Sequence, residues 1–196
     1  NRACYLWMFN SCSNLTIAPE LPATALASQC YQKMFYGCTS LTSAPQLPAT
    51  TLASYCYQNM FQDCTSLTTA PQLPATTLAN ECYQFMFSGC KKLTDAPALP
   101  ATTLAEYCYA DMFYYCTSLT TAPELPAETL VTGCYWIMFK DCTSLNSVTM
   151  LATDIAATDC LTNWMSGVAA TGTFTKAADV DIPTGVSGIP SGWTVQ

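Results

Sequence analysis

Apolar residues in the stretch 26–38 come as adjacent pairs four positions apart: Leu26, then Cys30 and Tyr31, Met34 and Phe35, and Cys38. Between them stand Ser28, Gln29, Gln32, Lys33, Tyr36 and Gly37, whose counterparts further along change type freely. Two interleaved sets stepping by four are what the opposite faces of an α-helix produce, whereas a strand alternates every second residue. The pattern predicts helices over 26–36, 52–62, 78–88 and 104–114, with Thr50 or Thr51 accepting from the orphan amides of a helix start. Gly37, Asp63, Gly89 and Asp141 fall where such helices should end. The intervening stretches cannot be helical. In 67–74 two prolines, Pro71 and Pro74, remove backbone donors and bias their predecessors to extended geometry. A short strand fits 67–70, with pairing expected to stop at Pro71.

This helix-plus-strand unit recurs every 26 residues. Cys4, Cys30, Cys56, Cys82, Cys108, Cys134 and Cys160 form one series and Cys12, Cys38, Cys64, Cys90, Cys116 and Cys142 a second, which places all 13 cysteines. The fold class expected is therefore α/β: a leucine-rich-repeat solenoid with parallel strands on the inner face and short helices on the outer face. Residues 1–159 read as six repeats, the first truncated at its start, because Asn1 to Phe9 enter partway through a predicted helix. That makes the chain an expected fragment of a longer protein. Residues 160–196 read as a degenerate repeat and C-terminal cap, since Trp164-Met165 replaces Met-Phe, Val168 replaces the second cysteine, and a Gly/Pro/Thr-rich tail of short strands and turns follows.

Composition narrows function by exclusion. The net charge is −7, and the six bases Arg2, Lys33, Lys91, Lys92, Lys140 and Lys176 are dispersed, which disfavours nucleic acid. The absence of histidine removes the commonest general base and the usual triads. With 51% apolar residues the chain is no disordered acidic tail. No apolar run is long enough to span a membrane, and Asn1 does not open a signal peptide.

The template Leu-Thr-x-Ala-Pro-x-Leu-Pro, followed by an apolar run and Met-Phe-x-Gly-Cys-Thr-Ser-Leu, resembles a BspA-like leucine-rich repeat. The common form of that repeat has Ala-Phe where this chain has Met34-Phe35 and Met60-Phe61. The resemblance covers Cys4 to about Cys160. It implies a bacterial surface or secreted protein that binds host or microbial partners, with no catalytic residue and no cofactor. The doubled cysteine column and the longer helical segment depart from the usual pattern. The tail Gly188-Ile189-Pro190-Ser191-Gly192-Trp193 resembles tails on repeat proteins of gut bacteria and their phages.

The cysteines admit three chemistries. Zinc sites space their thiolates by two to four residues, unlike the intervals of eight and eighteen here. Disulfides joining each second-series cysteine to the next first-series one, Cys12 to Cys30 through Cys142 to Cys160, would leave Cys4 over. Buried thiols are favoured, because eight helical residues span roughly 12 Å, and helix neighbours in a column stand about 8–10 Å apart, both beyond disulfide reach. The acids, including Glu20, Glu124, Asp179 and Asp181, fit solvated positions better than acid-base work. Thr16, Thr42, Thr68, Thr94 and Thr120, with Asn146, form a stacked column of the kind that can bind ice or glycans. The Asn14-Leu15-Thr16 sequon is incidental if Leu15 is a core residue.

Aromatic and apolar residues in the freely varying columns are the most informative departure. Phe85, Tyr114, Tyr115, Trp136 and Ile137, with Trp7 farther off, occupy places held elsewhere by Gln, Asn, Asp and Ser. Such a patch marks a contact surface, unless its rings only cover gaps between neighbouring helices. The function expected is a non-enzymatic recognition or adhesion module, extracellular or on a bacterial cell surface, binding a protein partner through the solenoid. A structural spacer or phage-particle repeat domain is the alternative, and glycan binding the third reading.

Overall fold

The computed structural model describes residues 4–196. Asn1 to Ala3, including Arg2 and the start of the truncated first repeat, lie outside the described residues. Each 26-residue repeat makes one rung, and residues 26 apart stack in columns. Single parallel pairings run Ser43 to Thr69, Asp95, Thr121 and Ser147, and a second line joins Ala25 to Thr51 and Thr77 to Thr103. Longer strands form only where the prolines are lost. Strands β1 (Ser147–Met150), β2 (Gly172–Lys176) and β3 (Trp193–Val195) make a parallel sheet in that order. Thr149 and Ala152 replace the two prolines of the preceding repeat, Pro123 and Pro126, so β1 can pair along its length.

The helices expected over 26–36, 52–62, 78–88 and 104–114 are not formed; among the described residues there is no helix. Each of these segments is a ribbon of overlapping turns. From the first cysteine of each segment onward, even-numbered amides bond within the rung, as from Cys30 N to Ala27 O at 3.2 Å and from Met34 N to Tyr31 O at 3.2 Å. Odd-numbered amides bond to the next rung, as from Tyr31 N to Cys56 O and from Phe35 N to Met60 O, both at 2.9 Å. Every fourth residue turns to positive φ: Gln29, Lys33 and Gly37 in one rung, Tyr55, Asn59 and Asp63 in the next.

The physical reason lies in the period. An α-helix advances 3.6 residues per turn, so pairs four apart drift by about 40° per step, whereas the four-residue turn unit returns each pair to the same side. Glycine, Asn and Asp recur at the positive-φ positions because they adopt left-handed geometry most readily. Gly37 and Gly89 are therefore interior members of the ribbon's turns, with φ of 69° and 74°, rather than helix exits.

Side chains of the inward pairs fill one continuous core. Met34, Met60, Met86, Met112 and Met138 and the phenylalanines after them are buried. The tyrosines stack from Tyr5 through Tyr31, Tyr57, Tyr83 and Tyr109 to Tyr135, with ring centroids 5.4–6.1 Å apart. A phenylalanine stack from Phe9 to Phe139 runs beside it at 5.5–5.7 Å. Both stacks end on Trp164, whose indole N–H donates to Gly188 O at 2.9 Å.

The ladder also corrects the cysteine spacing. Rungs joined by backbone hydrogen bonds lie about 4.8 Å apart, so a cysteine stands much nearer its column neighbour than two packed helices would allow. The cysteines nevertheless carry thiols. In the second series each thiol from Cys38 to Cys142 donates to a phenylalanine carbonyl of the preceding rung, as from Cys64 to Phe35 O, Cys90 to Phe61 O and Cys116 to Phe87 O, these three at 3.1 Å. Burial pushes the thiols of Cys56, Cys108 and Cys142 up to about 12. An aromatic disulfide reagent at pH 8 should therefore titrate Cys4 and Cys12 quickly, both being exposed, and the rest only in denaturant. Fast reaction of Cys90 in the native protein would contradict the packed column.

Candidate functional site

The five residues expected to form a patch lie on the turn ribbon. Phe85 and Ile137 occupy one column with Asp111 between them, each at positive φ of 55–56°. Tyr115 is also at positive φ, 61°, and is 42% exposed. Phe85, Tyr114, Trp136 and Ile137 are half-buried, each presenting part of its surface.

The structure brings further residues to these five. Tyr107 meets Trp136 edge to face, with centroids 6.4 Å apart and planes at 85°, a favourable approach for two aromatic quadrupoles. Tyr107 lies against the next rung because Gly133 is there: a Cβ on Gly133 would sit 2.2 Å from Cε1 of Tyr107. Tyr114 and Tyr115 pack at 6.1 Å, and the Lys91 ammonium stands 5.0 Å from the centre of the Tyr115 ring, a cation–π contact. Trp7 is not part of this patch; it is exposed, with the Lys33 ammonium 5.5 Å from the centre of its ring.

Asp111 is the unusual member. The residue is 4% exposed, and its Oδ2 is buried with no hydrogen-bond partner. Burial pushes its pKa up to about 7, against the opposing pull of Lys140. The rung two before it treats this column differently. Asn59 is buried too, but its amide donates to Gln62 Oε1 at 2.5 Å, and Tyr114 replaces that glutamine in the Asp111 rung.

The remaining candidates lie elsewhere. Glu20, Glu124, Asp179 and Asp181 are exposed and apart from the patch. Thr42, Thr68, Thr94 and Thr120, with Asn146, stand exposed in line on the proline-bearing side, and Thr68 donates through both N and Oγ1 to Thr42 O. No helix among the described residues is long and apolar enough to cross a membrane.

Comparison with known families decides what kind of scaffold carries this patch. The profile described as "BspA type Leucine rich repeat region" matches residues 5–120 in six copies, more than half of the chain. The chain belongs to the BspA-type leucine-rich repeat family. Members of this family are typically bacterial surface proteins, and the repeats are generally non-enzymatic modules of the kind that mediate protein interactions. Neither a curated protein nor a solved structure matches the chain. In this BspA-type protein the matched span holds Phe85, Tyr107, Asp111, Tyr114 and Tyr115, while Trp136 and Ile137 lie one rung beyond it.

Proposed function

We propose that the chain is a non-enzymatic recognition module of a bacterial surface or secreted protein, binding a protein partner through the patch formed by Phe85, Tyr107, Tyr114, Tyr115, Trp136 and Ile137. Residues 1–159 supply the repeats that carry it and 160–196 close the stack. The supporting observation is the clustering of part-exposed rings on consecutive rungs, in columns that other rungs fill mostly with polar residues or glycine, Tyr36 and Tyr55 being isolated rings in two of them. Large aromatic side chains on a rigid backbone lose little entropy on binding and supply most of the energy in protein contacts. A spacer has no use for such a departure from the polar outer columns.

A panel of immobilised extracellular proteins and glycans, probed with the native chain and with a Tyr115→Ala/Trp136→Ala variant, tests this. The reading expects a protein ligand whose affinity falls at least about tenfold in the variant. Binding to glycans alone, or affinity indifferent to the two substitutions, would overturn it.

Ile137 adds a prediction of opposite signs. A β-branched residue held at φ 56° costs roughly 1–2 kcal/mol relative to an ordinary conformation. Ile137→Asn should raise stability by about 1 kcal/mol while weakening the same ligand, as expected where strain is retained at a functional surface. Denaturant midpoints and the binding assay read the two effects separately.

A further inference from the structure

On the proline-bearing side the chain turns alternate residues outward. In one rung Ala98, Pro100 and Thr102 are exposed while Leu99 and Ala101 are buried. In the next, Glu124 and Glu128 are exposed with Pro126 half-buried between them, over buried Leu125 and Ala127. The repeat register sets Ala98 beside Glu124, Pro100 beside Pro126 and Thr102 beside Glu128. A groove of about 470 Å³ lies between these two rungs, walled by Ala98, Pro100, Pro123, Glu124 and Pro126 over Leu99. A second hollow of about 270 Å³ shares the Pro126 wall and runs between Thr102 and Glu128.

Three departures from the repeat coincide here. Ala98 is the one short side chain in a column that otherwise holds Glu20, Gln46, Gln72 and Glu124, and its shortness leaves room for the groove. Glu124 stands beside that gap. Glu128 replaces the threonine found at Thr24, Thr50, Thr76 and Thr102. Glu20 is followed by no second acid at Thr24, so only this rung carries a carboxylate at both ends of its proline segment. Neither 93–104 nor 119–130 contains a lysine or arginine, while Asp95, and Asp154 paired with Thr129, add negative charge nearby.

Glu124 and Glu128, four residues apart on an extended chain, are separated by about 13 Å. One metal ion cannot bridge them, because carboxylate oxygens bind calcium at roughly 2.3–2.6 Å. Between them lies proline surface, which has no N–H to donate, above a buried leucine. The complement is therefore cationic at both ends and apolar in the middle. An extended peptide offers this, since its residues i, i+2 and i+4 line one face at the same repeat as Glu124, Pro126 and Glu128. The prolines hold the groove's backbone in place, which limits the ordering cost of binding.

We propose that this groove is a docking surface, distinct from the aromatic patch, for an extended segment of a partner protein with basic residues at i and i+4 and an apolar residue at i+2. The two bases meet Glu124 and Glu128, and the apolar side chain lies over Pro100 and Pro126.

A fluorescein-labelled peptide with the core Lys-Ser-Leu-Ser-Lys, titrated with the whole chain at low salt and followed by anisotropy, tests this. Saturable binding is expected, most of it lost on raising the salt to about 0.5 M. Glu124→Gln and Glu128→Thr install residues that other rungs carry in these columns, so the fold tolerates both. Together they should weaken binding at least about fivefold, within what two exposed ion pairs contribute, and Ala98→Gln, which fills the groove, should weaken it as well. Moving the second lysine to i+3, where an extended chain turns it to the opposite face, should cost at least about threefold. The Tyr115→Ala/Trp136→Ala variant should bind this peptide as the native chain does, which separates the groove from the patch. No saturation by about 1 mM peptide, equal affinity for the double glutamate variant or for the i+3 peptide, or spermidine competing as well as unlabelled peptide would each overturn the proposal.

Discussion

Asp111→Asn is expected to stabilise the protein by about 1–3 kcal/mol at pH 8 and to leave its stability near pH 4 almost unchanged. The carboxyl has a folded pKa of about 7 against an ordinary value of 3.8, so between these values the native state holds a proton that the unfolded chain releases. For an acid raised in this way, the stabilising contribution is complete below pH 3.8, declines as pH rises, and is gone above about 7. The full linkage would be about 4 kcal/mol. Two effects reduce what asparagine recovers: the site lies just beneath the surface, where water screens the charge, and the new amide lacks the acceptor that Gln62 offers Asn59. Asparagine suits the backbone, since Asn59 and Asn163 hold the same column at φ of 57° and 55°. Thermal melts of both proteins from pH 4 to 8 should diverge steadily. Parallel curves would mean that Asp111 is hydrated and ordinary.

The 26-residue period, the inward Met-Phe pairs and the line of parallel pairings were all legible in the sequence, because repeats of one chain act as their own comparison. The turn ribbon was not. Two-in, two-out patterning resembles an amphipathic helix over one or two turns, and the distinction rests on whether pairs drift. Cys30-Tyr31, Met34-Phe35 and Cys38 hold a strict period of four, which an α-helix shifts by about 40° per pair. Recurrence of Gly, Asn and Asp every fourth residue, as at Asn59, Asp63, Gly89 and Asp111, was the second signal, pointing to repeated left-handed geometry rather than to a single exit. Tyr107 and Asp111 were missed for a related reason. On a helix they are outward residues, whereas the ribbon lays Tyr107 against Gly133 and closes over the Asp111 carboxyl, contacts between rungs that only the ladder spacing creates.

Met86→Ala should cost about 2–5 kcal/mol, the range for removing a long buried apolar side chain from a packed interior. Met86 is 0% exposed, as are Met60 and Met112 in the rungs on either side, so the shortened residue leaves a void that both neighbours border. Rung spacing is fixed by backbone bonds, with Phe61 N to Met86 O and Phe87 N to Met112 O both at 2.9 Å. The cavity therefore cannot close by drawing rungs together, which places the cost toward the upper part of that range. The damage should also be local, because each rung touches only its neighbours. Hydrogen exchange should quicken at the amides of Phe61, Phe87 and Phe113, while those near Trp164 keep their protection until the whole stack unfolds. Gln84→Ala, on the half-exposed side of the same rung, where its side chain accepts from Gln58 Nε2, serves as the control and should cost no more than about 1 kcal/mol, the worth of that hydrogen bond. Equal denaturant midpoints for the two variants would refute the two-in, two-out ribbon, since a helix rotated about its axis or a frayed loop would give residues 84 and 86 similar surroundings.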